Sequence, residues 1–282
     1  MNIDKNYLRK IVIDALEEDF GEGDITTDLT IGRSSTGHGN FVAKSNGILA
    51  GFDIVNMVFD ILSEGDVKVM RRLDDGQPFE PGTLIGEVEG DYAKILSGER
   101  TALNFLQHLS GVATETNTLV MQMGRSRTKL LDTRKTTPGL RYLEKYAVRM
   151  GGGVNHRMGL YDMLLIKENH LTAGGGLRST LRRVFDRNPE KPIEVEVKNL
   201  DELRIALKFH VHRIMLDNFK PDLIREAMAV RDEMEKSIPF EASGNITFDN
   251  IAEYASTGVE YISSGYITHS AKSSDITLLI DR

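Results

Sequence analysis

Short apolar segments alternate with helical segments from residue 129 onward, and this alternation constrains the fold more than any other feature. The spacing between the apolar segments, about 20–35 residues, is typical of βαβ units around a parallel sheet. Six strands plus one more could close into a (β/α) barrel, and a doubly wound sheet explains the placement of the polar residues less well. The predicted strands are 129–132, 163–167, 192–197, 213–217, 239–243 and 259–264.

The first 110 residues predict a smaller domain that mixes helices and strands. Leu8, Val12 and Leu16 recur at helical spacing, which predicts a helix over about the first 20 residues. A second helix is expected around Val55–Leu62, and strand-like segments lie at 40–44, 47–51, 67–70 and 83–90. We therefore predict an N-terminal domain at 1–110, a barrel domain at 111–270, and a C-terminal segment at 271–282 that returns to the N-terminal domain.

A long helix is predicted from Tyr92 to Leu109, and it carries a charge among apolar residues. Arg100 follows Leu96 by four positions and precedes Leu103 by three, so these side chains share a face. One interpretation is an arginine whose stem packs on apolar surface while its head reaches water. The other is that Arg100 is directed into a closed site or a subunit interface.

The charge of the chain is distributed unevenly. The formal net charge is −7 over 282 residues, which disfavours a general nucleic-acid binder. Residues 134–167 nevertheless contain seven Lys or Arg against two acids, so this segment carries +5 and the remainder −12. Clustered positive charge in an acidic protein predicts a small anionic ligand.

Several classes of protein are disfavoured by composition. The chain contains no cysteine, so disulfides, thiol nucleophiles and cysteine-based metal sites are excluded. It has no run of about 18 apolar residues that would predict a transmembrane helix. The N-terminus lacks the apolar core of a signal peptide. We therefore expect a cytoplasmic enzyme.

Each predicted strand of the second domain ends in reactive or small residues. In a (β/α) barrel the carboxyl ends of the strands form the active site. Glycine and asparagine also occur in ordinary turns, but six such ends in succession favour a functional site. The ends are Asp132–Lys135, Lys167–His170, Glu196, Asp217–Asn218, Ser243–Gly244 and Ser264–Gly265.

The segment PIEVEVK places charges on one face of a strand. Glu194, Glu196 and Lys198 alternate with apolar residues, so in a barrel they would point inward. Charges buried there need partners, whereas an exposed edge strand is the alternative interpretation. Glu196, with Asp217 at the end of the next strand, predicts a Mg²⁺ site made of oxygen ligands.

Four cations follow neighbouring strand ends. Arg134 and Lys135 come directly after a strand, Arg157 lies in a glycine-rich loop, and Lys167 ends the next strand. Arginine binds carboxylates through two hydrogen bonds, and lysine acts as a point charge for phosphate. Opposite two acids, these cations predict a ligand with carboxylates at one end and a magnesium-bound phosphate at the other.

Three further features accompany the cations. The turns at 243–245 and 264–266 could offer backbone N–H groups to a phosphate. His156 is either a general acid/base or a hydrogen-bonding residue. Thr137 is predicted to cap a helix whose first residue is Pro138.

Long segments of the chain resemble one enzyme family. GERTALNFLQHLSGVAT, DTRKTTPGLRYLEKYAVRMGGGVNHRMGLYDMLLIKENHL, IEVEV, IMLDN and EASGNIT occur in this order, and EDFGEGDITTDLT and GILAG precede them. Together they resemble quinolinate phosphoribosyltransferase over nearly the whole chain. The resemblance implies an N-terminal α/β sandwich beside an incomplete (β/α) barrel of about seven strands.

The same resemblance implies a pentosyltransferase reaction of NAD biosynthesis. Quinolinate and PRPP would give nicotinate mononucleotide, CO₂ and pyrophosphate, with Mg²⁺ as cofactor and without nucleic acid or membrane as partner. The enzyme would be a homodimer, with a hexamer as the alternative assembly. Arg100 would then reach the active site of the partner subunit.

The resemblance also assigns roles to individual residues. Arg134, His156 and Arg157 would hold the two carboxylates of quinolinate, with Lys167 beside them. Glu196, Asp217 and Lys135 would be the catalytic residues, the two acids serving the ribose and the magnesium-bound pyrophosphate and the lysine absorbing its charge. The residues implied to line the site or take the 5′-phosphate are Thr133, Ser243, Gly244, Asn245, Ser264, Gly265, Tyr266 and His269.

Three other functions compete with this interpretation. A pyrophosphorylase-like relative of the same scaffold would not need a full set of carboxylate-binding cations. Nicotinate phosphoribosyltransferase would handle one carboxylate. A lipoyl or biotinyl carrier module would need a lysine at a hairpin tip, and Lys44 lacks the flanking residues of such a motif.

Overall fold

The chain folds into two compact units that do not follow the sequence in two simple blocks. A computed structural model describes residues 4–31 and 35–281. The first unit holds the described residues of Met1–Asn117, Thr137–Gly152 and Ser270–Arg282. The second holds Thr118–Thr136 and Gly153–His269. Residues 137–152 therefore belong with the N-terminal residues, whereas the sequence placed them in the barrel domain.

The first unit is built on an antiparallel sheet. The elements up to residue 122 are α1 (Lys5–Phe20), α2 (Ile25–Thr30), β1 (Thr36–Ala43), β2 (Gly47–Ile48), α3 (Phe52–Ser63), β3 (Val67–Arg71), β4 (Pro78–Phe79), β5 (Leu84–Asp91) and α4 (Tyr92–Gln122). All belong to the first unit except the last five residues of α4, 118–122, which belong to the second. The predicted helix at the N-terminus is present from Lys5, and residues 1–3 of that prediction lie outside the described residues. Phe41, Phe52 and Phe59 are fully buried in the core of this unit.

The elements that follow alternate between strand and helix. They are β6 (Lys129–Leu131), α5 (Arg141–Met150), β7 (Leu164–Ile166), α6 (Glu168–Ala173), α7 (Leu177–Asp186), β8 (Ile193–Val197), α8 (Leu200–Ala206), β9 (Arg213–Asp217), α9 (Pro221–Glu233), β10 (Phe240–Ser243), α10 (Ile251–Ser256), β11 (Tyr261–Ser263), α11 (Tyr266–His269) and β12 (Ile276–Asp281). The six strands predicted between residues 129 and 264 are all confirmed.

The last strand belongs to the sheet of the first unit. The strand order in that sheet is β12-β1-β5-β3, and β12 pairs antiparallel with β1. Leu278 of β12 lies opposite Phe41, so the C-terminal segment contributes to the same sheet as the N-terminal residues.

The second unit is built on a parallel sheet in the order β6-β11-β10-β9-β8-β7. On the free side of β6, Leu131 forms a single parallel bridge with Val154. Val154 thus occupies a seventh strand position, which no apolar run in the sequence marks. The predicted incomplete barrel is confirmed, and β8 is an interior strand rather than an exposed edge.

The helix α4 differs from its prediction in length and in its buried face. It continues to Gln122 rather than ending at Leu109. Ile95, Ala102 and Leu106 are fully buried, whereas Arg100 is exposed. These three residues lie on one side of the helix and Arg100 on the other, so the predicted apolar face through Arg100 is wrong.

The helix α5 begins three residues later than predicted. Leu140 is its N-cap, and Thr137 and Pro138 lie in the preceding turn. The carboxylate of the buried Glu144 accepts the Thr137 N–H at 3.1 Å. This bond holds Thr137 in the turn, and Leu140 takes the N-cap position instead. Within residues 4–31 and 35–281, no helix combines the length and apolar character needed to cross a membrane.

Candidate active site

The carboxyl ends of the parallel strands surround a cavity of about 620 Å³ in the second unit. Its lining includes every predicted site residue except Arg100: Thr133, Arg134, Lys135, His156, Arg157, Lys167, Glu196, Asp217, Ser243, Gly244, Asn245, Ser264, Gly265, Tyr266 and His269. This convergence follows from the parallel sheet, because the ends of parallel strands meet at one edge.

Two guanidinium groups lie close together on one side of the cavity. Burial lowers the pKa of Arg157, and the positive charge of Arg134 lowers it further. The Arg157 guanidinium is anchored because its Nη1 donates to the Met163 carbonyl oxygen at 3.1 Å. Two neighbouring cations that repel each other form a site for an anion carrying more than one negative charge.

Two carboxylates lie together at the ends of β8 and β9. Burial raises the pKa of Glu196, and the negative charge of Asp217 raises it further. The Lys167 Nζ lies 3.8 Å from Glu196 Oε2, and the Glu168 N–H donates to Glu196 Oε1 at 3.4 Å. Repulsion between the two acids would be relieved by a cation bound between them.

The ends of β10 and β11 form two small turns that contact each other. Gly244 has a φ of 110°, and a Cβ there would lie 2.2 Å from the side-chain oxygen of Asn218. Only glycine fits this close approach. Ser264 Oγ donates to the Ile246 carbonyl oxygen at 2.7 Å and so joins the two turns.

Lys135 extends along the second of these turns. A Cβ at Gly265 would lie 2.8 Å from Lys135 Cδ, so the absence of a side chain at Gly265 makes room for the lysine stem. The Lys135 backbone is also held in place, because its N–H donates to Thr133 Oγ1 at 3.0 Å and its carbonyl accepts from Thr268 Oγ1 at 2.7 Å. The ammonium group is therefore carried on a fixed segment beside the turn.

Comparison with known proteins identifies the family of this chain. Residues 24–110 match the N-terminal domain of the family described as quinolinate phosphoribosyl transferase, and residues 112–279 match its C-terminal domain. The chain belongs to this family.

Individual relatives are similar over nearly their full length. A probable nicotinate-nucleotide pyrophosphorylase (carboxylating) of Bacillus subtilis is 42% identical over 272 residues, covering 96% of this chain and 92% of its own. The corresponding probable enzyme of Methanocaldococcus jannaschii is 44% identical and covers 99% of both chains. The solved nicotinate-nucleotide pyrophosphorylase of Francisella tularensis is 39% identical, covers 99% of this chain and 98% of its own, and superposes with a TM-score of 0.94.

In this family member, a buried cluster of ionisable groups forms part of the cavity floor through His156 and Glu241, and the sequence pattern identified only part of it. Glu194 and Glu241 are fully buried, and the His156 Nε2 lies 3.0 Å and 3.4 Å from their carboxylate oxygens. Arg213 Nη1 donates to Glu241 at 2.8 Å. The alternation in PIEVEV indicated an inward Glu194, but Glu241 is a lone acid in PFEAS and gave no signal of its own.

The charges of this cluster act on His156 in two directions. Burial disfavours the charged ring, whereas the two carboxylates favour it and raise the pKa of His156. The Arg157 N–H donates to Nδ1 at 2.7 Å, a bond available only while Nδ1 carries no proton. This bond selects the neutral ring with its proton on Nε2, which lies within ion-pair distance of both carboxylates.

Two groups of side chains offer atoms of the kind that bind metal ions. Among the described residues, His156, Glu194 and Glu241 place one ligand atom each within 4.8 Å of one another. Arg213 already lies 2.8 Å from Glu241 and 3.9 Å from Glu194, so cations of the protein occupy this space. Glu196 and Asp217 face the cavity instead, and their oxygens are the ligands that Mg²⁺ prefers.

The positive segment 134–167 is divided between the two units. Arg134, Lys135, Arg157 and Lys167 line the cavity. Arg141, Lys145 and Arg149 lie on α5 in the first unit, where Lys145 is almost fully buried. The predicted cationic site therefore consists of four of the seven basic residues, together with His156.

Asp132 is a further residue whose role the sequence did not reveal. It follows β6, is fully buried, and accepts the His156 N–H at 2.8 Å and the Asn155 side-chain amide at 2.5 Å. It therefore holds the loop that carries His156 and Arg157 against the end of β6.

We predict that Asp132→Ala lowers the free energy of unfolding by about 2–4 kcal/mol, because it leaves two buried donors without this acceptor. Asp132→Asn retains one acceptor oxygen and should lose about half as much. Equilibrium unfolding in urea measures both values. If Asp132→Ala unfolds at the wild-type midpoint, the carboxylate does not hold the loop.

Proposed function

We propose that this chain transfers the phosphoribosyl group of PRPP to quinolinate. The products are nicotinate mononucleotide, CO₂ and pyrophosphate, as the names of the relatives imply. The observation that supports this most is the division of charge in one cavity, with Arg134 and Arg157 on one side and Glu196 and Asp217 on the other. A dicarboxylate and a magnesium-bound phosphate ester need these two environments side by side.

The guanidinium groups of Arg134 and Arg157 would bind the carboxylates of quinolinate, with Lys167 beside them. Binding there replaces the repulsion between two cations by attraction to two anions. The pyridine nitrogen is then directed at C1 of the ribose. Bringing two anionic substrates into this geometry supplies much of the rate enhancement, and no protein nucleophile is needed.

The nitrogen forms a bond to C1 as the C1–oxygen bond to pyrophosphate breaks. Positive charge develops on the ribose during this step, and the carboxylates of Glu196 and Asp217 would stabilise it. Lys135 would offset the charge of the departing pyrophosphate. The resulting pyridinium withdraws electrons from the ring, so the adjacent carboxylate leaves as CO₂ and the ring carbon takes up a proton.

Glu196 and Asp217 fit a bound Mg²⁺, because they supply two neighbouring carboxylates whose mutual repulsion a cation would relieve. When bound, Mg²⁺ would neutralise charge on the pyrophosphate oxygens. The turns at 243–245 and 264–266 would hold the 5′-phosphate through backbone N–H groups. Tyr266 and His269 border the second turn, with ring centroids 6.5 Å apart.

The direct test is an assay of the purified chain with PRPP, Mg²⁺ and either quinolinate or nicotinate. We expect nicotinate mononucleotide and pyrophosphate to form from quinolinate and not from nicotinate. CO₂ should form in equal amount. If the chain turns over nicotinate but not quinolinate, the proposal is wrong and the substrate carries one carboxylate.

We predict that Gly244→Ala raises the KM for PRPP about tenfold or more, because the new Cβ meets the Asn218 side chain and displaces the turn. Gly258→Ala is the matched control. Gly258 also has a positive φ, of 82°, but it does not line the cavity, and its Cβ would lie 3.7 Å from Met228. The control should lose stability with little change in KM, and an equal rise in both variants would contradict the assignment of the turn.

We propose that the enzyme is a cytoplasmic homodimer in which Arg100 completes the site of the partner subunit. Arg100 is exposed on α4, and among the described residues its guanidinium has no hydrogen-bond or ion-pair partner. It is also the one predicted site residue that does not line the cavity of its own chain. A hexamer assembled from such dimers is the alternative state.

We predict that Arg100→Ala and Arg134→Ala are each nearly inactive with quinolinate, and that mixing the two restores activity. After unfolding and refolding together, activity should reach about a quarter of wild type, because half of randomly paired dimers each contain one intact site. Lys94→Ala, an exposed cation on the same helix, serves as the control and should stay active. If the mixture stays inactive, Arg100 acts in its own chain or not at all.

A further inference from the structure

Four ionisable groups lie together inside the sheet of the second unit, and two of them, His156 and Glu241, line the floor of the cavity. Glu194 on β8 and Glu241 on β10 are both fully buried. Arg213 lies on β9 between them, and its guanidinium also packs over the Tyr261 ring at 4.2 Å. His156 supplies the fourth group, with Nε2 at 3.0 Å and 3.4 Å from the two carboxylates.

Such a cluster is costly to bury and therefore calls for an explanation. Taking two carboxylates out of water is strongly unfavourable unless cations or hydrogen-bond donors compensate them. A well-packed apolar group of similar volume would serve stability as well or better. The cluster thus has a role that apolar residues could not fill.

The carboxylates determine which nitrogen of His156 carries a proton. An ionised carboxylate only accepts hydrogen bonds, so Nε2, which faces both of them, is the nitrogen that carries the proton of the neutral ring. In the neutral ring, Nδ1 is then left as an acceptor, and it receives the Arg157 N–H at 2.7 Å. Asp132 receives the preceding N–H, of His156 itself, at 2.8 Å.

These contacts define the backbone from which Arg157 reaches the substrate. The N–H groups of residues 156 and 157 are both bonded, one to Asp132 and one to the His156 ring. The Arg157 side chain then has one further anchor, the Met163 carbonyl at 3.1 Å. A shift of the 156–157 backbone would move the guanidinium away from the place where it meets a carboxylate.

We propose that Glu194 and Glu241 are positioning residues that act through His156. They orient its ring so that Nδ1 holds the Arg157 backbone, and His156 contributes to substrate binding through Arg157 rather than by a direct contact of its ring nitrogens. This revises the role that the family resemblance implied for His156. The inference rests on the proposed function, since it concerns how quinolinate is held.

The first experiment compares three substitutions of His156. The side-chain oxygen of Asn in His156→Asn can take the place of Nδ1 and accept the Arg157 N–H, whereas Gln in His156→Gln places its amide near the position of Nε2. His156→Ala should raise the KM for quinolinate about tenfold or more while changing the KM for PRPP by less than about twofold. His156→Asn should recover most of that loss. Recovery by His156→Gln instead would show that Nε2 is the group that matters and would overturn the proposal.

The second experiment replaces a carboxylate. Glu241→Gln is preferred because Glu194 shares a strand face with Glu196. We expect a rise in the KM for quinolinate with an unchanged KM for PRPP. Glu260→Gln is the matched control, since Glu260 accepts from Arg231 at 2.7 Å in the same unit and does not line the cavity. An equal change in the KM for quinolinate in both variants would show that the effect comes from general destabilisation, and it would overturn the proposal.

A third measurement does not depend on activity. ¹⁵N NMR of the imidazole nitrogens, assigned by loss of a signal in His156→Asn, reports which nitrogen is protonated. We expect a protonated Nε2 and an unprotonated Nδ1 in wild type at neutral pH, and an altered ring signal in Glu241→Gln. An unprotonated Nε2 or a protonated Nδ1 would overturn the inference. Failure of wild type to use quinolinate would instead refute the proposed function and leave the ring orientation as measured.

Discussion

The site depends on one constraint, the parallel hydrogen bonding of the sheet in the order β6-β11-β10-β9-β8-β7. In this register Asp217 lies beside Ser243, and Ser243 lies beside Ser263 on the next strand. Neighbouring strands are about 4.8 Å apart, so groups far apart in the chain line one cavity. Because side chains alternate between the two faces of a strand, a slip of one residue would turn Glu196 away from the cavity.

Charge within the second unit is separated by strand. The cations that line the cavity follow β6 and β7 or lie in the loop after Val154, the two acids end β8 and β9, and the small residues follow β10 and β11. The protein as a whole is acidic, with a net charge of −7. The attraction for an anionic substrate is therefore a local property, and the buried carboxylates of Glu194 and Glu241 are contacted by the Arg213 guanidinium and by His156 Nε2.

The fold and most of the site could be predicted because they depend on local patterns. Short apolar runs at regular spacing identified all six strands of the parallel sheet, and residues at the ends of these strands line the cavity. The strand position of Val154 was not predicted because a single bridge needs no apolar run. The role of Glu241 was not predicted because the sequence does not show which way one acid in an otherwise apolar strand points. Arg100 was placed on the wrong face of α4 because Leu96 and Leu103 lie at the edge of the buried surface, whose centre is formed by Ile95, Ala102 and Leu106.

The sequence by itself determined where strands and helices form and which chemical groups stand at the strand ends. It also carried enough family-specific residues to indicate the reaction. Only the tertiary structure decided that Lys145 lies in the first unit while Lys135 lines the cavity, and that Glu241 meets His156. The physical reason is that burial and charge pairing depend on which strands become neighbours. That is settled by hydrogen bonds between segments far apart in the chain, such as β6 and β11, whose paired residues Lys129 and Tyr261 are 132 positions apart.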